Sequence, residues 1–261
     1  MNIYLLRHGE SEQNVDKKKF FENDKEIKLT QKGIEQAKKA GEFLKTLIFH
    51  YDKNLTKTYI LSSDFVRAME TAQYALGDLP LKINISSDLS EYKRGIFGKY
   101  PLEEAEKLFP KEFKEFAEGL KGPNKFYAKQ PEGESASDVV LRVKKLFPLF
   151  EQLEKQGVEN LILVSHSGTI RCLTMAFMGY GPEWYANEKN MINCSIRLIV
   201  KENENFTDKN YIYGGYKLSL SGEIVKNAID SIKNENNKSN EINKSSKTCQ
   251  EDEDIVASNL L

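Results

Sequence analysis

One pattern occurs twice in this chain and restricts its fold more than any other feature. The aliphatic run Ile3 to Leu6 stops at Arg7-His8-Gly9, and the unbroken run Leu161 to Val164 stops at Ser165-His166-Ser167-Gly168. Continuous apolar runs of this length suit strands buried on both faces of a parallel sheet. After the second run Ile170, Leu173 and Phe177 recur at helical spacing. Each unit therefore reads as a strand, a histidine at its carboxyl end, a turn of small residues and more polar chain or helix beyond. Ligands of open α/β sheets bind at that carboxyl edge. His8 and His166 would meet there, whereas His50, the third histidine, has no such context. Arginine offers a planar fork of donors suited to phosphate or carboxylate, and a neutral imidazole is a nucleophile or base. Arg7 beside His8 points to attack on a phosphoryl group.

The intervening chain supplies the rest of a sheet and its helices. Ser11 to Lys28 is polar and without periodicity, expected as a loop above the sheet edge, with Asn14 inside it. Thr30 is a suitable N-cap for a helix in which Ile34, Ala37, Gly41, Leu44 and Ile48 form one face. Tyr59 to Leu61 reads as a second strand, and Ser62-Ser63-Asp64 leads into a helix carrying Phe65, Met69, Ala72 and Leu76. Arg67 lies in its first turn, where unpaired N–H groups and the helix dipole favour an anion, although a solvated helix residue is the plainer reading of that position. Leu81, Ile83 and Ile85 alternate as a third strand, followed by a glycine-rich, basic loop, Glu91 to Gly98. Glu91 is either a proton donor or an ion-paired surface carboxylate, and Asp88 is a competing carboxylate nearby.

Residues 101 to 133 show no strand pattern. A helical piece through Leu102, Ala105, Leu108 and Phe109 breaks at Pro110, and Phe113, Phe116, Phe126 and Tyr127 follow among lysines. This stretch, about 100–134, is expected to be a small helical lid with its own aromatic core. Ser135-Ala136-Ser137-Asp138 resembles a capping box opening one helix through Leu153, bent at Pro148 and ended at Gly157. Cys194 to Lys201 and Tyr211 to Leu220 read as the last strands, the second near the sheet edge. The fold class expected is an α/β three-layer sandwich with a mostly parallel central sheet.

Composition narrows the classes of function. Among 261 residues, 38 basic against 39 acidic side chains give a formal net charge of -1, so nothing global favours nucleic acid or an anionic membrane. No apolar stretch is long enough to span a bilayer, and the short run before Arg7 does not suit a signal peptide. Cys172, Cys194 and Cys249 are odd in number and lack CxxC spacing, which argues against a disulfide framework or zinc site and fits a reducing, cytoplasmic setting. From about Ser231 to Leu261 the chain turns to Asn, Lys, Ser and acidic residues and is expected to be disordered. The main domain is expected over 1–225.

Taken together, these blocks resemble the histidine phosphatase superfamily in its phosphoglycerate-mutase-like branch. Leu5 to Ser11 with Asn14 is similar to the branch's first signature; Leu29-Thr30 with Gly33, Gln36 and Ala37 resembles the next. Ser62 to Ala72 and Val164 to Gly168 follow in the right order. The resemblance implies that His8 is transiently phosphorylated, that Arg7, Arg67 and His166 hold the phosphate with help from Asn14, and that Glu91 protonates the leaving group. Ser167, next to the second histidine, joins the candidate substrate-binding set. Neither metal nor cofactor is implied, since two guanidinium groups and an imidazole supply the charge. Two departures stand out: Ser63-Asp64 where the family often has a proline and an apolar residue, and Ser167 where glycine is common.

The Glu91-x-x-x-Gly95 spacing resembles that of the mutase-like branch, which implies Glu91 rather than Asp88 as the acid, and an acid there implies activity at mildly acidic to neutral pH. The segment Pro131-Glu132-Gly133-Glu134-Ser135 resembles the lid of phosphatase members more than the longer basic insertion of the mutases. A phosphatase acting on a small phosphorylated substrate or a phosphoprotein is the expectation, a phosphoglycerate mutase the alternative, and a non-catalytic phosphate-binding scaffold the reading from another class.

Overall fold

The computed structural model describes residues 1–16, 24–52 and 54–214. Its centre is a six-stranded sheet in the order β3-β2-β4-β1-β5-β6. The strands are β1 (Asn2–Arg7), β2 (Thr58–Ser63), β3 (Ile83–Ser86), β4 (Asn160–Ser165), β5 (Ile196–Glu202) and β6 (Asn205–Tyr213). β3, β2, β4 and β1 run parallel, while β5 and β6 are antiparallel additions at one side.

Side-chain alternation along the strands sorts the core into two layers. Tyr4 and Leu6 of β1, with Ile162 and Val164 of β4, face α2 (Gln31–Tyr51) and α3 (Val66–Leu76), where Ala37, Leu44, Ile48, Ala72 and Leu76 complete the cluster. Ile3, Leu5, Leu161 and Leu163 face the other way, against Val139 and Val143 of α6 (Ala136–Lys144), Phe150 and Leu153 of α7 (Phe147–Lys155), and Ile170 and Leu173 of α8 (Ser167–Met178). The result is the expected three-layer α/β arrangement, around a mixed sheet. Thr30 caps α2 by accepting from the Gly33 amide, and Ser135 with Asp138 forms the capping box of α6.

Several expectations are corrected. The polar stretch after β1 is not all loop: α1 (Glu12–Val15) follows Ser11, whose amide is held by the Asn14 side chain, and a 3-10 turn spans Asp24–Glu26. Ser62 and Ser63 belong to β2, because β3 on its other flank gives them backbone partners through Ser86. The single bent helix over 136–153 is two helices, since Pro148 has no N–H to continue the ladder and sits in the first turn of α7 instead. Pro110 likewise starts a helix: α4 (Leu102–Leu108) is followed by α5 (Pro110–Gly119).

Phe97, Phe109, Phe113 and Phe116 form the aromatic core of that insertion. Phe126 does not join them but packs on Tyr185 of α9 (Pro182–Asn187), in the main core. The last strand begins earlier than expected, because it pairs with β5 as a hairpin from Asn205. The predicted tail and the remainder of the expected last strand lie outside the described residues. No helix among those described is long and apolar enough to cross a membrane.

Candidate active site

The register of β1 and β4 brings the two histidines together. Arg7 lies opposite Ser165 in the parallel ladder, and the His8 amide donates to the Ser165 carbonyl at 2.9 Å, so both chains leave the sheet side by side. The His8 and His166 rings stand 5.1 Å apart, centroid to centroid, tilted by 59°. Both are buried, His8 at 4% and His166 at 0% exposure.

The turn after His8 requires glycine. A Cβ on Gly9 would lie 2.5 Å from the Gly33 carbonyl oxygen, and one on Gly33 only 2.0 Å from that of Glu10. The N-terminal turn of α2 thus presses its backbone on the turn carrying His8. The Gly9 amide also donates to Thr71 Oγ1 at 3.0 Å, while that hydroxyl donates to the Arg67 carbonyl at 2.6 Å, tying the turn to α3.

Tautomers follow from these contacts. His8 Nδ1 lies 2.7 Å from the Gly9 carbonyl oxygen, which only accepts, so Nδ1 carries the proton. Burial, with Arg67 and Arg7 nearby, pushes the His8 pKa well below its usual 6.5 and keeps the ring neutral. Its Nε2 therefore holds a lone pair. His166 is held neutral in the same way, first by burial and then by Arg67, His8 and Arg7. Its Nε2 contacts Ser63 Oγ at 2.9 Å, and its Nδ1 is buried with no hydrogen-bond partner among the described residues.

The other candidate residues converge unequally. Arg67 is 1% exposed; its Nη1 donates to the Asp24 carbonyl at 2.6 Å and carboxylate at 3.0 Å, and its guanidinium lies 4.7 Å from the Phe65 ring centroid. The solvated-helix reading of Arg67 is overturned by that burial. Arg7 Nη1 donates to the Met191 carbonyl, and Ser167 Oγ accepts from the Met191 amide at 2.9 Å. Asn14 is exposed and accepts at Oδ1 from the Ser11 amide and from Asn193 Nδ2, both at 3.0 Å. Asn193 also donates to the His8 carbonyl at 3.1 Å.

Glu91 lies over the first turn of α8: its Oε1 is 3.3 Å from Thr169 Oγ1 and accepts from the Tyr92 amide at 3.1 Å. A cleft of about 400 Å³ is lined by Arg7, Glu91, Ser167 and Gly168 together with Lys93, Arg94, Lys125 and Arg171. Asp88 does not line it. Among the described residues no group of three or more His, Cys, Asp or Glu side chains is placed to hold a metal ion.

Thr71, Asn193 and Asp24 were not singled out from sequence. Thr71 stands four residues after Arg67, on the same helical face, and was findable by that spacing. Asn193 and Asp24 reach the site only through the tertiary fold.

A family model for the histidine phosphatase superfamily, branch 1, matches residues 3–211. The chain belongs to that superfamily. A fructose-2,6-bisphosphatase of Saccharomyces cerevisiae is 32% identical to this chain over 181 residues, covering 69% of this chain and 35% of that protein. The chain thus spans about a third of that relative's length. A probable phosphoglycerate mutase of Salmonella arizonae is 25% identical over 224 residues, covering 86% of this chain and 94% of that one. Among solved structures, an α-ribazole phosphatase from Shigella flexneri superposes with a TM-score of 0.67 at 21% identity, covering 84% of this chain and 99% of its own. That likeness bears out the α/β fold.

Proposed function

We propose that this chain is a metal-independent phosphomonoesterase working through a phosphohistidine on His8, with Glu91 as proton donor. The observation that carries the reading is the state of His8: a buried, neutral ring whose Nδ1 proton is committed to Gly9, leaving Nε2 as the nucleophile beside a second neutral imidazole. Nε2 attacks phosphorus, the ester P–O bond breaks, and Glu91 gives its proton to the departing oxygen. Water then attacks the phosphohistidine, its proton passes to Glu91, and the P–N bond breaks to return neutral His8. Arg7, Arg67 and His166 stabilise the charge on the transferring oxygens throughout, with Asn14 and Ser167 at the rim.

The cleft beyond the histidines is cationic, with Lys93, Arg94, Lys125 and Arg171 around it. Charge complementarity favours a substrate with a second anionic group, and a sugar bisphosphate, of the kind named for the yeast relative, fits that requirement. A mutase is the second reading, favoured by the match along nearly the whole length of the probable phosphoglycerate mutase.

The test is phosphate release from p-nitrophenyl phosphate in excess chelator, wild type against His8→Ala. Release that survives the chelator and disappears in the variant is expected. Release lost with the chelator, or retained by the variant, overturns the mechanism. Phosphoglycerate isomerisation without net phosphate release would establish the second reading.

A further inference from the structure

The proposed acid sits in a segment with no regular structure of its own, since Ser90 to Arg94 belong to no helix or strand. An acid must be placed within hydrogen-bond reach of the leaving oxygen, so something outside the segment has to fix it. The structure places one ion pair there. Arg142 of α6 donates from Nε to Glu134 Oε1 at 2.8 Å and from Nη2 to Glu134 Oε2 at 3.1 Å, a side-on, two-bond pair in which each side chain is 12% exposed.

The remaining donors of the same guanidinium collect the backbone ahead of Glu91. Nη1 donates to the Asp88 carbonyl at 2.8 Å and to that of Ser90 at 3.0 Å, with Ser87 at 3.4 Å, and Nη2 reaches the Glu91 carbonyl at 3.5 Å. Glu134 takes hold of the chain on the other side. Its Oε2 accepts from the Lys93 amide at 3.0 Å, and its own amide donates to the Lys93 carbonyl at 2.7 Å.

We propose that Arg142 and Glu134 are positioning residues for the proton donor, a clamp that grips the backbone on both sides of Glu91; the inference rests on the reading of Glu91 as the acid. The chemistry of the pair suits the task. A planar fork can serve a carboxylate and several carbonyls at once, which the point charge of a lysine cannot. Because the pair is neutral, it supplies donors beside Glu91 without adding a net charge there. Neither residue touches the histidines or the arginines of the phosphate pocket by any hydrogen bond described, so loosening the clamp should weaken proton donation and spare phosphate binding.

The experiment compares two leaving groups in the full chain. p-Nitrophenolate departs with little need of a proton, whereas the alkoxide of glycerol 2-phosphate requires one. Values of kcat/KM, which report the steps through leaving-group departure, are measured for wild type, Arg142→Lys, Glu134→Gln and Glu91→Gln. Both clamp variants are expected to lose about tenfold or more on the alkyl phosphate and less than about threefold on p-nitrophenyl phosphate, a smaller copy of the Glu91→Gln pattern. A selective loss in Glu91→Gln with equal losses on both substrates in the clamp variants would overturn the clamp alone. No selectivity in Glu91→Gln would overturn the acid assignment and the clamp with it. The two clamp variants attack the pair from opposite sides, so misfolding in one leaves the other to decide.

Discussion

At the scale of single residues the site is built on close approaches that side chains would spoil. Gly168, in the first turn of α8, shows this most sharply. A Cβ added there would lie 2.4 Å from Tyr92 Cε2 and 2.8 Å from Glu91 Oε1. Tyr92 cannot swing aside cheaply, because its hydroxyl lies 2.7 Å from that of Tyr185 and 3.0 Å from Cys172 Sγ. In Gly168→Ala both neighbours must give way, and displacing Tyr92 moves the adjoining Glu91, whose carboxyl is pushed directly as well. Overpacking of this kind costs about 1–3 kcal/mol of stability, whereas a misplaced reacting group costs up to about 100-fold in rate. Gly168→Ala is expected to stay folded at 25 °C and to lose kcat/KM on an alkyl phosphate by at least about tenfold. Thermal unfolding and steady-state kinetics on one preparation check it; unchanged kinetics would show that Glu91 does not need its observed place.

At the scale of elements, α2 and α3 meet where Gly41 faces the carbonyl end of α3. A Cβ on Gly41 would stand 2.1 Å from the Ala75 carbonyl oxygen and 2.6 Å from Ala75 Cα, both backbone atoms that move only if the helices separate. Gly41→Ala should lower stability by about 2–3 kcal/mol despite the better helix propensity of alanine. The urea midpoint measures this, and a stabilised variant would refute the close contact. Gly41 was legible in the sequence as a member of the buried helix face, but not as a contact, since periodicity reports which face is buried and not how near the next element comes. The same limit runs through the rest of the reading. The strands ending at His8 and His166 were plain because they are fully buried and lack polar interruption. The boundaries around Pro110 and Pro148 were misjudged because a proline can open a helix as readily as it breaks one. Arg7, His8 and His166 stood out by local pattern, whereas Arg67 and Glu91 were singled out only through the family resemblance; the fold sets the His8 and His166 rings side by side with Arg7 and Arg67 near both, and puts Arg7 and Glu91 on the adjoining cleft. Arg142 was not named, because its partners at Ser87 to Glu91 lie more than fifty positions away in sequence and are backbone atoms that carry no side-chain signal.

At the scale of the whole molecule, burying two neutral histidines at one sheet edge couples the chemistry to folding. Both His8 and His166 have pKa values well below the usual 6.5, with burial the first cause and Arg67 the next for each. Arg7 acts on both rings and Arg142 on His166. Above pH 7 neither the folded nor the unfolded chain protonates these rings, so they add no pH dependence there. As the pH falls through 6.5 the unfolded chain takes up a proton on each ring while the folded chain does not. The unfolded state then binds more protons, and stability declines with falling pH. Two such groups give a slope of at most about 2.7 kcal/mol per pH unit between 6.5 and their lowered folded values. The carboxylates held low by partners, Asp64, Asp78 and Asp138, lose their contribution only in the more acidic range where they titrate. Urea denaturation at half-unit steps from pH 7.5 to 5.5 should therefore show a plateau above 7 and a fall below 6.5. His8→Gln removes one of the two titrating rings, so the fall should be about half as steep in that variant. Equal slopes in variant and wild type would mean that the uncharged His8 ring, on which nucleophilic attack at phosphorus depends, is not what the folded site holds.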